Sequence, residues 1–152
     1  MSKVQPIPEG YHTLTPYLVI KGAAKAIDYY TAVFGAKELF RMPSSDGKIM
    51  HAELQIGSSR VMLADEMGEW KGPDSLQGSP VSMMIYVEDV DQVFERAVKA
   101  GASTIRPVEN QFWGDRMGVL KDPFGHIWSV ATQVEKVSET EMQNRMKEMH
   151  KQ

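Results

Sequence analysis

The sequence feature that most constrains the fold is an internal repeat. One segment, YLVIKGAAKAIDYYTAVFGAKELF, begins at Tyr17, and a second, MIYVEDVDQVFERAVKAGASTI, begins at Met84. Each segment has the pattern of a strand, a helix, a glycine and a second strand. Gly35 and Gly101 align at an offset of 66 residues, and the strand before the helix needs one residue of slip. The repeat therefore predicts two modules of the same architecture.

Each module is predicted to be βαβββ. Apolar periodicity predicts helices over about 23–34 and 90–100. Three extended segments follow each helix, at 37–42, 49–56 and 60–65 in the first module and at 103–108, 112–121 and 126–132 in the second. A module with one helix cannot cover both faces of its own sheet, so the two modules are expected to pair around one core.

The pattern predicts one α+β domain over residues 1–152. Module one covers about 11–65, an irregular linker with several Gly and Pro covers 66–80, and module two covers about 81–133.

A further helix is predicted over about 138–150. Ser138 and Glu141 have the spacing of a capping box, and Met142, Met146 and Met149 share one helical face. This apolar face is expected to lie on the body of the protein or on a partner subunit.

The composition excludes several classes of protein. The 152 residues have a formal net charge of −3 and contain no cysteine. Nucleic-acid binding, disulfides and thiolate chemistry are therefore not expected. No apolar run approaches the roughly 20 residues that span a bilayer. We expect a soluble cytoplasmic protein without a membrane partner.

The stretch FWGDRMGVLKDPFGHIWSVAT, which begins at Phe112, predicts two strands joined by a type I turn. Alternation along the second strand directs Trp128 into the core, whereas Trp113 is expected either to pack or to form the wall of a ligand site. His126 is expected to be a loop or capping residue. Trp70 lies in the linker and is expected to fold over the ligand site.

A tandem βαβββ repeat whose second half contains a DPFG hairpin resembles the vicinal oxygen chelate superfamily. That superfamily includes glyoxalase I, bleomycin-resistance proteins, fosfomycin-resistance enzymes and extradiol dioxygenases. The stretches TPYLVIKGAAKAIDYY, HAELQIGSSRVMLADE and WGDRMGVLKDPFGHIW, with the SETEM tail, resemble its PhnB-like branch. The resemblance covers residues 14–133 and implies curved mixed sheets around a cleft. It does not define the chemistry, because one fold hosts many functions.

The resemblance also implies where a metal would be bound. Metal-dependent members place His, Glu or Gln on the first and fourth strands of each half. These positions correspond to Thr15 and Leu63 in module one and to Ser82 and Ser129 in module two. Neutral hydroxyls and an aliphatic side chain are poor ligands for a divalent metal. We therefore expect no conventional metal site and no cofactor, unless the strand register is displaced by one residue.

Strand alternation assigns further side chains to the face of each sheet that lines the cleft. His51 and Glu53 share this face in module one, and Met84 and Asp115 share it in module two. The predicted ligand-binding residues are Thr15, Tyr17, His51, Glu53, Leu63, Ser82, Met84, Trp113, Asp115, Met117 and Ser129.

His51 and Glu53 are the candidates for catalytic chemistry. A histidine beside a carboxylate could act as a general base, or the two could supply half of a metal site. The alternative is that both are solvated, or hydrogen-bonded to one another, on an open sheet face.

Three functions follow from these observations. The first is a metal-free protein that binds a small, partly aromatic or cationic molecule, as the bleomycin-resistance relatives do. The second is a lyase, isomerase or dioxygenase-like enzyme that uses a displaced metal or acid–base chemistry at His51 and Glu53. The third is a scaffold whose methionine-rich terminal helix docks another chain. Open sheet edges and the resemblance lead us to expect a homodimer.

Overall fold

A computed structural model of the chain describes residues 3–151. The chain divides into two compact units, one ending at Gly78 and the other beginning at Ser79. The elements of the first unit are β1 (Tyr17–Ile20), α1 (Ala23–Phe34), β2 (Lys37–Pro43), β3 (Ile49–Ile56), β4 (Ser59–Asp65) and α2 (Pro73–Leu76). Those of the second are β5 (Ser82–Tyr86), α3 (Val90–Lys99), β6 (Ser103–Asn110), β7 (Asp115–Lys121), β8 (Ile127–Gln133) and α4 (Glu139–Met149).

Each unit contains a four-stranded mixed sheet, which confirms the predicted α+β fold class. The strand order is β1-β4-β3-β2 in the first unit and β5-β8-β7-β6 in the second. In both units the first strand pairs in parallel with the fourth, and the remaining pairs are antiparallel. The predicted C-terminal helix is also present, and within residues 3–151 none of the helices has the length and apolarity needed to cross a bilayer.

The core of the first unit lies between α1 and one face of its sheet. Strand β3 alternates strictly along most of its length, with Ala52 and Leu54 fully buried and His51 and Glu53 only partly so. This period of two sends apolar side chains toward α1 and polar ones to the opposite face. The largest fully buried side chains of this unit are Tyr30, Ile20, Ile49, Leu54, Leu63 and Val33.

The core of the second unit is formed in the same way under α3. Trp128 is 3% exposed, as predicted from its position next to Ser129. Its indole Nε1 donates to Oδ2 of Asp122 at 2.9 Å, so the buried N–H is satisfied. Gly118 makes room for the helix, because a Cβ there would lie 2.7 Å from the ring of Phe94.

A strand residue holds the N-terminus of the main helix in each unit. In the first unit Oδ1 of Asp65 accepts from the backbone N–H groups of Gly22 and Ala23, at 2.9 and 3.0 Å. Its Oδ2 accepts from Ile49 N at 2.7 Å. In the second unit Thr132 Oγ1 accepts from Val90 N at 2.9 Å. Asp65 replaces the local side-chain cap that α1 lacks, whereas Thr132 adds to the cap that Asp89 already gives α3 by accepting from Gln92 N.

The strand register corrects one predicted orientation. Met62, not Leu63, is paired with both Tyr17 and Glu53, and Leu63 is paired with Leu18 and Ala52. Leu63 is therefore fully buried on the helix side of β4. The prediction that Leu63 faces the cleft was wrong by one residue.

The physical reason for this error is the length of the hairpin loops. The β3–β4 hairpin closes with Ile56 opposite Ser59, leaving two residues in the loop. In the β7–β8 hairpin Asp122 N donates to His126 O, leaving three. The extra residue changes the repeat offset after the turn from 66 to 67, so Ser129 corresponds to Met62. A one-residue shift reverses the face of a side chain.

Two segments differ from their predictions. The linker has more regular structure than predicted, and the residues before β7 form a turn instead of a strand. The linker contains the single-turn helix α2 and a bridge between Met67 and Trp70. Strand β7 begins at Asp115 rather than at Phe112, because the residues before it form a turn in which Gly114 has φ 103°. A Cβ at Gly114 would collide with the carbonyl oxygen of Glu135.

Replacing Asp65 with alanine should destabilise the protein by about 2–4 kcal/mol, since three buried or partly buried N–H groups lose their acceptor. Urea denaturation followed by circular dichroism measures this change. Asp28→Ala, at an exposed position of α1, is the matched control and should shift the free energy of unfolding by less than about 1 kcal/mol. Equal effects of the two substitutions would contradict the role of Asp65.

Candidate functional site

The first-unit face, which we define by Tyr17, His51, Glu53 and Met62, is the surface of the β1–β4 sheet opposite α1. The hydroxyl of Tyr17 lies 2.8 Å from Nδ1 of His51, within hydrogen-bond distance. Nε2 of His51 lies 3.9 Å from Oε1 of Glu53. The side chains of His51 and Glu53 are 27% and 24% exposed, so both remain accessible.

Two further residues of this face were missed by sequence reasoning. The hydroxyl of Tyr11 donates to Oε1 of Glu53, and the guanidinium carbon of Arg60 lies 5.0 Å from the centre of the Tyr11 ring. The Nε atom of Arg60 is buried without a hydrogen-bond partner in the described part of the chain. Alternation from Met62 could have placed Arg60 on this face, but Tyr11 precedes the first strand and no periodic signal predicts its position.

Aromatic rings border the same face. The ring of Trp70 lies 5.0 Å from that of Tyr17, and the ring of Phe40 lies 6.2 Å from the imidazole of His51. Trp70 is 50% exposed and Phe40 is 45% exposed. The bridge between Met67 and Trp70 closes a tight turn in the linker, and the ring contact of Trp70 shows that this turn lies beside Tyr17 of the same unit.

Both tyrosines on this face hold their protons more tightly than an ordinary phenol. Burial raises the pKa of Tyr11, and the hydrogen bond to Glu53 and its negative charge raise it further. Burial also raises the pKa of Tyr17, with a contribution from the charge of Glu53. The phenols are therefore hydrogen-bond donors at neutral pH.

The second-unit face, which we define by Met84, Tyr86, Asp115, Met117 and Ser129, is the surface of the β5–β8 sheet opposite α3. Asp115 is 5% exposed, and its Oδ2 accepts from the hydroxyl of Tyr86 and from Nε1 of Trp113, each at 3.0 Å. This hydrogen bond, followed by burial and the charge of Asp115, raises the pKa of Tyr86. Met84 is 46% exposed.

The remaining polar groups of the β7–β8 region have structural roles. Oδ1 of Asp122 accepts from the backbone N–H groups of Phe124 and His126, each at 2.9 Å. His126 is 7% exposed within this turn, as expected for a loop residue. Arg116 makes two hydrogen bonds to Asp91 of α3, at 2.8 and 2.9 Å. Arg116 and Asp115 thus have separate partners, as expected for adjacent strand residues.

The predicted site residues can now be assigned within each unit. Tyr17, His51 and Glu53 contact or adjoin one another on the first-unit face, whereas Leu63 does not reach it. Thr15 lies just before β1 and is half-buried. On the second-unit face Met84 pairs with Ser129, which pairs with Val119, and Tyr86 pairs with Ala131, which pairs with Met117. Ser82, the first residue of β5, is exposed.

The side chains at the metal positions that the resemblance implies do not suit a divalent metal. With the corrected register they are Thr15 and Met62 in the first unit, and Ser82 and Ser129 in the second. These supply neutral hydroxyls and a thioether rather than imidazole or carboxylate. Within residues 3–151 no group of three or more His, Asp or Glu side chains is placed to hold a metal ion. The predicted absence of a cofactor stays a prediction.

The two tandem βαβββ units and their first-to-fourth strand pairing define a glyoxalase-type fold. Residues 11–130 match the family described as the Glyoxalase/Bleomycin resistance protein/Dioxygenase superfamily. The chain belongs to this superfamily, which confirms the resemblance noted from the sequence.

Relatives extend the match over most of the chain. An uncharacterised protein of Mycobacterium tuberculosis is 46% identical over 138 residues, which are 88% of this chain and 81% of that protein. The crystal structure of TioX from Micromonospora sp. ML1 has a TM-score of 0.63 at 27% identity, covering 84% of this chain and 100% of that chain. The PhnB protein from Bacillus cereus shares the fold, with a TM-score of 0.66 at 17% identity over 80% of this chain and 99% of its own.

Replacing Glu53 with glutamine should lower the pKa of Tyr11 toward its ordinary value, because the negative charge that opposes ionisation is removed. Tyrosinate absorbance during alkaline titration measures the change. The Tyr11→Phe and Tyr17→Phe variants show which part of the absorbance titration belongs to each tyrosine. In the unsubstituted protein, the contribution of these two phenols to the free energy of unfolding is complete below pH ~10. It decreases as the pH rises through their raised pKa values in the folded state. An unchanged titration in Glu53→Gln would contradict the contact.

Proposed function

We propose that this protein binds a small planar aromatic cation without a bound metal. The observation that supports this most directly is the position of Glu53, whose carboxylate lies among Tyr11, Tyr17 and His51 on the first-unit face. A carboxylate beside aromatic rings favours a cation by charge and by interaction with the ring faces. Trp70 and Phe40 add exposed aromatic surface of the kind that stacks on a flat molecule.

The second-unit face supports the same class of ligand. Asp115 is a buried carboxylate held by two aromatic donors, and the methionines Met84 and Met117 provide polarizable apolar surface. A methionine-rich surface adapts to ligands of different outline. Each face therefore combines one acidic group with aromatic or thioether side chains, and the first-unit face also carries Arg60, whose guanidinium lies over the ring of Tyr11.

Isothermal titration with proflavine, a planar aromatic cation, tests this proposal, with uncharged acridine as a shape-matched comparison. Glu53→Gln should weaken proflavine binding about tenfold, equivalent to ~1.4 kcal/mol, because the ligand loses its carboxylate partner. Acridine binding should be nearly unaffected. Glu88→Gln removes the same charge from an exposed position of the second unit and should leave proflavine binding unchanged. Equal affinity of Glu53→Gln and the unsubstituted protein for proflavine would contradict the proposal.

A second candidate function is supported by the Tyr17–His51 contact. When Nδ1 accepts a hydrogen bond from Tyr17, the ring proton is on Nε2, which faces Glu53 at 3.9 Å. This arrangement could move a proton to or from a bound substrate, as a lyase or isomerase requires. Alternatively, His51 and Glu53 could supply two ligands of a displaced metal.

Metal analysis separates the two candidates. Elemental analysis of purified, dialysed protein should find less than about 0.1 metal ion per chain if the binding proposal is correct. Stoichiometric Zn, Ni, Mn or Fe that is lost in His51→Ala would instead support the enzyme. Mass spectrometry of proflavine recovered after incubation should likewise show an unchanged molecule.

We also propose a homodimer, and a cytoplasmic location because a chain without cysteine needs no oxidising compartment. The edge strand β2 is exposed along its whole length, with Leu39, Phe40 and Met42 each 45% exposed. An exposed apolar edge strand favours pairing with another chain. Sedimentation equilibrium measures the assembly, and a monomer at all concentrations tested would exclude the dimer.

A further inference from the structure

We propose that Arg145 of the C-terminal helix is a positioning residue that holds the Phe112–Trp113 corner of the second-unit face. This proposal rests on the proposed function only for its effect on ligand binding. Helix α4 has no fully buried residue, and only Met142 and Arg145 are partly buried, so apolar packing contributes little to its attachment to the unit. The polar contacts of Arg145 contribute more.

Arg145 connects three parts of the second unit. Its Nη1 donates to the backbone carbonyl oxygen of Phe112 at 3.0 Å, across 33 residues of sequence. Nη1 and Nη2 also donate to the two carboxylate oxygens of Glu135, at 3.0 and 2.7 Å. Nε donates to Glu141, one turn earlier in α4, at 3.1 Å. These four hydrogen bonds exceed the three N–H donors of a lysine ammonium, whereas the planar guanidinium has five donors in a fixed geometry.

The position of the Phe112 carbonyl affects the orientation of the neighbouring Trp113 side chain. Phe112 and Trp113 contact each other edge to face, with ring centres 5.0 Å apart. Trp113 in turn donates its indole N–H to Asp115 at 3.0 Å. A shift of the Phe112 carbonyl therefore moves the peptide that orients Trp113, and with it one of the two donors that hold the Asp115 carboxylate.

The partner of Arg145 is itself attached to the same turn. The backbone N–H groups of Val134 and Glu135 both donate to the carbonyl oxygen of Gly114, at 2.9 and 3.0 Å. Close approach of Glu135 to Gly114 leaves no room for a Cβ at position 114. Glu135 is thus held beside the turn by its backbone and presents its carboxylate to Arg145. Because the Glu135 carboxylate is fixed in this way, its interaction is specific to Arg145, and a cation elsewhere on the surface would not replace it.

The indole N–H resonance of Trp113 in ¹H–¹⁵N correlation spectra tests this role without a ligand. Trp70→Phe and Trp113→Phe assign the three indole signals. Arg145→Gln should shift the Trp113 signal and increase its hydrogen exchange about tenfold, while the Trp70 and Trp128 signals stay in place. Arg145→Lys keeps the positive charge but lacks the planar set of guanidinium N–H donors, so it should reproduce most of the change that Arg145→Gln causes in the Trp113 signal.

Lys147→Gln is the matched control, because it removes the same charge from an exposed position of the same helix. It should leave all three indole signals unchanged. Glu135→Gln should shift the Trp113 signal in the same direction as Arg145→Gln. The proposal is overturned if the Trp113 signal is unchanged in Arg145→Gln, or if Lys147→Gln or the Trp70 signal shows an equal change.

Proflavine titration then separates this inference from the proposed function. Arg145→Gln should weaken proflavine binding about threefold at the second-unit face. The loss of proflavine affinity caused by Glu53→Gln should be the same with and without Arg145→Gln. If the unsubstituted protein does not bind proflavine, the proposed function fails, and the indole spectra still decide the role of Arg145. If proflavine binds and its affinity is unaltered by Arg145→Gln, the positioning role in binding is overturned.

Discussion

Each unit has one main helix for a sheet with two faces, and this constraint underlies the rest of the structure. Because α1 packs on only one face of the first sheet, strand alternation sends Leu54 toward the helix and Glu53 away from it. The second unit repeats the arrangement under α3, where Trp128 is buried and Ser129 is not. The faces that lack a helix are therefore where polar and aromatic side chains accumulate.

The chemistry of these faces differs from what the superfamily's metal-dependent members require. A metal site needs several imidazole or carboxylate ligands that converge on one point. Here the acidic groups Glu53 and Asp115 instead accept hydrogen bonds from aromatic side chains, namely Tyr11 for the first and Tyr86 and Trp113 for the second. This arrangement of carboxylates among aromatic donors is the basis on which we propose a flat cationic ligand.

Attachment of remote segments completes both faces. Tyr11, from the segment before β1, reaches Glu53, and Trp70, from the linker, reaches Tyr17. In the second unit Arg145 of α4 reaches the Phe112 carbonyl. In each case the side chain comes from outside the strands and the main helix of its unit. The duplicated units thus have a common framework but different additions, which gives their faces different shapes.

The sequence by itself determined the α+β class, the duplication, the extent of α1 and most strand positions, because hydrophobic periodicity and glycine placement are local properties. Alternation within β3 also placed His51 and Glu53 on the face opposite Ala52 and Leu54, because it needs no tertiary information, and the repeat placed Asp115 by its offset from the first module. Only the tertiary structure decided that Met62 rather than Leu63 lies beside Glu53, because one extra residue in a distant hairpin loop changes the register. Likewise, Tyr11 and Arg145 acquire their roles through contacts across 42 and 33 residues of sequence, which no local pattern encodes.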